Sequence, residues 1–184
     1  ATLYFRLHAT PFREAPTHFS GARQCDAVDA FGAWGTAADP AERLAKAGSI
    51  GGLQLLDARL VCGRDHLVSA AEHAERAMRE GTNAAKTLAV EFVLYASGER
   101  QIADALAKMG GRGDTTEFAV GAFGGRDTAT VLEALALTRD DSVLEASRQK
   151  LRAFGLSDAE IESVPGDRQA DLVLERIAMV DLLK

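Results

Sequence analysis

Residues 65–102 read DHLVSAAEHAERAMREGTNAAKTLAVEFVLYASGERQI, and this stretch decides the architecture. Its first part, Asp65 to Glu80, puts Leu67, Ala71, Ala74 and Met78 on one apolar stripe of a helix. Glu72/Arg76 and Glu75/Arg79 stand one turn apart on the other face, in the Glu-before-Arg order that favours a helix. Gly81 ends the segment. Thr82 or Asn83 then caps a second predicted helix, Ala84 to Ala96, whose Leu88, Ala89, Val90, Phe92, Val93 and Leu94 are apolar nearly all round. Such a helix belongs in the interior. Within it Glu91 must pair, protonate or reach the surface, and Thr87 and Tyr95, one turn to either side, are the expected hydrogen-bond partners. Ser97-Gly98 breaks the helix, and a third runs through Ile102, Leu106 and Met109 to Gly110-Gly111.

Upstream, Leu3 to His8 reads as a strand, followed by irregular chain with Pro11, Pro16 and many small residues. Asp39-Pro40 sets an N-cap and first helical position, and a short helix through Lys46 is expected to end before Gly48. Gly51-Gly52 is a turn signal. Leu55, Leu56, Leu60 and Val61 then form a strand with Asp57 and Arg59 on its polar face. Downstream, Glu117 to Phe123 is a strand with Phe118, Val120 and Ala122 on one side, followed by a helix around Val131 to Leu137. A helix from Val143 to Phe154 comes next, and Ser157-Asp158-Ala159-Glu160 is a capping-box pattern. Pro165-Gly166-Asp167 is a break, and a final helix, Gln169 to Leu183, puts Ala170, Leu174, Ile177 and Val180 on one stripe. A few strands among about seven helices imply an α/β (α+β) fold, a small mixed or antiparallel sheet flanked by several helices.

The chain of 184 residues suits one domain, residues 1–184, with 47% hydrophobic and 26% charged residues. No apolar run reaches the length of a membrane helix, and the N-terminus lacks the pattern of a signal peptide, so a cytoplasmic location without membrane contact is expected. Cys25 and Cys62 are expected as reduced thiols. The net charge of −6 is uneven: −1 over residues 1–57, +1 over 58–112 and −6 over 113–184. Any polyanion contact therefore belongs in the middle third.

Candidates for chemistry are few. Cys62, followed by Gly63, Arg64, Asp65 and His66, could be a thiol with a nearby base, but no oxyanion-hole pattern accompanies it. His66 and His73 lie seven apart on one helix, whereas helical zinc sites favour closer partners and a third ligand. The glycine clusters Gly110–Gly113 and Gly121–Gly125 match neither a dinucleotide nor a phosphate-loop pattern. No catalytic residue, cofactor or metal is expected. The basic residues Arg59, Arg64, Arg76, Arg79, Lys86 and Arg100 can gather around the breaks at Gly81–Asn83 and Ser97–Gln101. The last helix carries more apolar side chains than one stripe can bury, which marks a partner surface.

Several blocks resemble a known family. Leu56-Asp57-Ala58, Asp65-His66-Leu67 and Thr82-Asn83-Ala84-Ala85-Lys86 occur in order, followed by Glu91 and by Ala96-Ser97-Gly98-Glu99-Arg100-Gln101-Ile102. Asp140 to Glu145 and Val173 to Ala178 continue the match. The chain is similar to the PRPK-binding protein family, regulatory subunits of the KEOPS tRNA-modification complex, in its archaeal form. The match spans about residues 49–183, and residues 1–48 match weakly. The resemblance implies a noncatalytic subunit that docks on the small atypical kinase/ATPase of KEOPS. It also implies recruitment of tRNA by its CCA tail for N6-threonylcarbamoyladenosine formation. Val173, Leu174, Ile177 and Val180 are the expected kinase contacts, and Arg64, Arg79, Lys86 and Arg100 the expected tRNA contacts. A protein-only adaptor and, more remotely, a thiol enzyme using Cys62 are the competing expectations.

Overall fold

The computed structural model describes residues 28–36 and 40–183. The expected strand Leu3–His8, the thiol Cys25 and the cap Asp39 lie outside these residues. Strand β1 (Val28–Trp34) and helix α1 (Pro40–Ile50) lead to β2 (Leu53–Asp57) and a single 3-10 turn at Ala58–Leu60. Three helices follow: α2 (Arg64–Glu80), α3 (Leu88–Ser97) and α4 (Ile102–Met109). Strand β3 (Glu117–Phe123), α5 (Thr128–Leu135) and β4 (Thr138–Arg139) precede a 3-10 turn at Asp141–Leu144. Helices α6 (Arg148–Phe154), α7 (Asp158–Glu162) and α8 (Asp171–Leu183) complete the described chain.

The sheet runs β2-β3-β1-β4, antiparallel throughout, so the fold is α+β with helices on both faces. Strand parity builds the layers. Phe31, Ala33, Leu53, Leu55, Phe118, Val120 and Ala122 face α1 and α5, where Ala47, Val131 and Leu135 meet them. Ala30, Leu56, Ala119 and Phe123 face the larger layer, together with Leu67, Phe92, Val93, Leu94, Leu151, Ile177 and Val180. Helix α3 lies so close to β3 that a Cβ on Gly121 would stand 2.9 Å from the Phe92 ring. Gly121 is therefore held by packing rather than by backbone conformation.

The reading of α2 stands: Gly81 is its left-handed cap, with φ 72°, and Leu67, Ala71 and Ala74 are buried. The boundaries of α4 and β3, the Gly51-Gly52 turn and the capping box at Ser157 also agree. Six expectations need correction. Val28–Trp34, read as irregular chain, is an internal strand of the sheet whose residues Ala30 to Ala33 are buried on both faces and so show no polar alternation. Helix α1 continues through Gly48 to Ile50. Strand β2 stops at Asp57, because the Asp57 carboxylate accepts the Arg59 backbone N–H and caps the 3-10 turn. Asp57 is buried, not on a polar face.

Helix α3 begins at Leu88, not Ala84. The fully buried Glu91 carboxylate accepts the N–H groups of Ala84 and Ala85, at 3.0 and 2.7 Å, and Thr87 caps the helix through the Val90 N–H. Residues 83–87 are thus a loop wrapped around a carboxylate, and Glu91 has the structural role expected, with these amides as partners. Finally, residues 143–154 are not one helix. Asp140 holds a 3-10 turn by accepting the N–H and hydroxyl of Ser142, and Ser147 restarts the chain as the cap of α6.

Candidate functional site

Helix α8 spends one side on the core. Val173 and Ile177 are 0% exposed and Val180 1%, while Leu174 is half-buried against the same cluster. Three of the four expected kinase contacts therefore face the chain's own interior, which corrects their assignment as surface residues. The stripe on the other side is Glu175, Ala178, Met179 and Leu182, and here Met179 is 44% and Leu182 77% exposed. Sequence periodicity alone favoured the inward stripe, because both sides of the helix are apolar.

The last turn of α8 is wired to α2 and α3. The Asp181 carboxylate accepts hydrogen bonds from the Tyr95 hydroxyl and the Arg76 guanidinium, and lies 2.7 Å from His73 Nδ1. Burial would raise the Asp181 pKa, but the contacts with Tyr95, His73 and Arg76 outweigh it and hold the carboxyl below its ordinary range. Burial and the bond to Asp181 push the Tyr95 phenol upward. Arg76, expected to pair along its own helix, thus reaches across to α8.

Arg64, Arg79, Lys86 and Arg100 are all exposed, but the fold does not bring the four together. His66 Nε2 meets the Ala96 carbonyl at 2.7 Å, so the start of α2 lies against the end of α3. Arg64 and Arg100 consequently share one end of this antiparallel hairpin, and Arg79 and Lys86 the other. At about 1.5 Å per residue, Arg64 and Arg79 are roughly 22 Å apart along α2. Arg64 also lies near Asp141, whose carboxyl is held low although burial opposes it, by the Gly32 amide, Arg139 and Arg64.

The Cys62–His66 pair is arranged against nucleophilic chemistry. The Cys62 backbone N–H donates to His66 Nδ1 at 3.2 Å, so the ring's proton sits on Nε2 and is donated to Ala96. Burial pushes the Cys62 thiol up to about 11, against the nearby Lys150, and pushes His66 down to about 4. Both ring nitrogens of His66 are occupied, which also removes it as a metal ligand.

A cleft of about 610 Å³ opens elsewhere, lined among others by Asp57, Arg59, Lys108, Arg112, Asp114, Glu117 and Lys150. Asp57 binds the Arg59 guanidinium through both oxygens, and Asp114 lies 3.7 Å from it. Lys108 donates to the Ser97 carbonyl and Glu99 and stands 4.3 Å over the Phe154 ring. Lys150 donates to the carbonyls of Val61 and Val143 at 3.1 and 2.5 Å. Sequence reasoning singled out Arg59 alone of these cations. The rest come from α4, the loop after it and α6, and only the tertiary fold joins them.

Among the described residues no helix is long and apolar enough to cross a membrane. No curated protein matches the chain. Residues 37–180 match the family model described as kinase binding protein CGI-121, the family of KEOPS regulatory subunits that the sequence blocks resemble. The chain belongs to the CGI-121 kinase-binding protein family.

Proposed function

We propose that this chain is the noncatalytic subunit of a KEOPS-type complex that holds the small kinase/ATPase through the outward stripe of α8 and recruits tRNA for N6-threonylcarbamoyladenosine formation in the cytoplasm. The supporting observation is the exposure of Met179 and Leu182 on a helix whose other side is already committed to the core. Apolar residues one turn apart on a rigid helix are the anchors with which helices enter a partner's groove. The test is co-purification with the candidate kinase. Met179→Glu and Leu182→Glu are expected to fold normally and to lose at least tenfold in kinase affinity. Unchanged affinity in the double variant sinks the α8 assignment.

The tRNA part rests on exposed cations at both ends of the α2–α3 hairpin. The paired variants Arg79→Glu/Lys86→Glu and Arg64→Glu/Arg100→Glu, titrated with tRNA with and without its CCA tail, identify which end is used. A net charge of −6 and the separation of these cations favour the second reading, a protein-only kinase adaptor. That reading prevails if neither pair changes tRNA affinity and removal of the tail has no effect.

A further inference from the structure

A second cleft, of about 420 Å³, lies where the first turns of α1 meet the end of α5, on the face of the sheet away from α8. Thr36, Glu42, Arg43, Lys46, Leu135 and Ala136 line it. Arg43 is the anomaly here. It is only 7% exposed, yet among the described residues it has no ion pair. Its Nε donates to the Leu135 carbonyl at 2.9 Å and its Nη2 to the Thr36 carbonyl at 3.2 Å, which fixes the group between two residues of the cleft wall. Nη1 is buried and has no hydrogen-bond partner among the described residues. A guanidinium carries five N–H groups, so these two bonds leave three to donate. Two carbonyls orient the cation without neutralising it, and a buried cation with unspent donors calls for an anionic acceptor. The surroundings are shaped to hold it. A Cβ on Gly35 would stand 2.9 Å from the Arg43 Cζ, and the Phe118 ring lies 5.7 Å from the same atom. Lys46, one turn further along α1, adds a second, exposed cation to the cleft.

From this juxtaposition we infer that the cleft binds a carboxylate, which accepts from the unspent N–H groups of Arg43 and pairs with Lys46. A planar guanidinium held in place matches the two coplanar oxygens of a carboxylate. Glu42, an exposed carboxylate on the rim, and the C-terminal end of α5 both oppose a more highly charged anion such as phosphate. The volume leaves room for the remainder of a small ligand or for one side chain. The chemistry is the same for a free carboxylic acid and for an acidic residue of a partner protein. The inference stands without the kinase and tRNA readings, because α8 and the α2–α3 hairpin pack on the opposite face of the sheet.

The experiment is an NMR titration of the full chain that follows the backbone amides and the Arg43 Nε–H signal, at about 150 mM chloride to screen diffuse attraction. The probes are succinate, a blocked peptide of three glutamates, and inorganic phosphate. Saturating shifts are expected at Arg43 Nε–H and confined otherwise to residues 35–36, 42–46 and 134–137. Arg43→Lys keeps the charge but removes the fork, and is expected to weaken binding at least tenfold. Lys46→Gln, an exposed change that leaves Arg43 in place, is expected to weaken it about threefold, while Arg168→Gln on a remote surface has no effect. If Arg43→Lys fails to fold, the Nε–H shift and Lys46→Gln still decide the matter. Saturation by succinate identifies a free acid as the ligand; saturation only by the peptide identifies an acidic segment of a partner. Asp39, four residues before Arg43 in the sequence, is the competing occupant. In Asp39→Asn without ligand the Arg43 Nε–H signal is expected to stay in place, and a shift there assigns the seat to the chain's own carboxylate and overturns the inference. Saturation by neither carboxylate, indifference to Lys46→Gln, or phosphate binding as tightly as succinate also overturns it.

Discussion

His66 and His73 sit two turns apart on α2, yet they inhabit opposite kinds of environment. His66 is 0% exposed, donates to one backbone carbonyl, accepts from one backbone amide and meets Phe154 edge-on at 5.4 Å. His73 is partly exposed, tilts against Tyr95 and lies in a group with Asp181 and Arg76. The first joint, at the start of α2, is sealed with neutral, fixed partners. The second, where the middle of α2 and the last turns of α3 and α8 meet, is held by charge. The comparison teaches that the same residue type fastens two helices either by excluding the proton or by placing itself beside a carboxylate, and that only the second kind of joint answers to salt.

The two joints can be broken separately. The largest effect is expected for His66→Ala, which orphans the Cys62 N–H and the Ala96 carbonyl and leaves a void beside Phe154. Together these cost about 4 kcal/mol by urea unfolding. A loss under about 1 kcal/mol would mean that the sealed end tolerates water.

Acid provides the next largest effect. His66 titrates at about 4 in the folded chain against 6.5 for the unpartnered group, because burial disfavours the cation. The unfolded chain therefore binds this proton first as pH falls. The His66 contribution is fully present above pH 6.5 and is lost progressively down to about 4, by up to roughly 3 kcal/mol. In His66→Gln the slope of stability against pH in that window is expected to flatten; an unchanged slope assigns the proton uptake to another group.

Smaller effects belong to the wired joint. Asp181→Asn keeps the shape but removes the charge that Arg76 faces, and is expected to cost about 1–2 kcal/mol and to raise hydrogen exchange in the last turn of α8. Arg76 is about two-fifths exposed, so Arg76→Ala is expected to cost less than about 1 kcal/mol and to lose most of that difference at 1 M salt. Equal costs for Arg76→Ala and His66→Ala would erase the distinction between the two joints.

What the sequence showed follows the same division. Leu67, Ala71 and Ala74 announced α2 because a stripe repeats at helical spacing, and Gly81 marked its end. Val28 to Trp34 announced nothing: a strand buried on both sides, with Gly32 fitted against the Asp140 carbonyl, has no polar face to alternate with. Glu91 was recognisable as a buried polar problem, but its bonds to the Ala84 and Ala85 amides were not, since backbone amides in a loop carry no sequence signature. On α8, composition revealed a surplus of apolar residues without saying which stripe was surplus. The cleft was least legible of all, because Arg59, Lys108, Arg112 and Lys150 become neighbours only through the packing of α4 and α6 around the end of β2.

The wrapping of residues 83–87 around Glu91 has a consequence for how this part of the molecule opens. The loop has no regular structure, yet two of its amides are fastened to a carboxylate in the interior of the next helix. The loop cannot loosen while α3 stays folded, and α3 cannot unravel past Glu91 without releasing the loop. The two form one cooperative unit, so the Ala84 and Ala85 amide protons are expected to exchange with solvent as slowly as those of the buried helix itself.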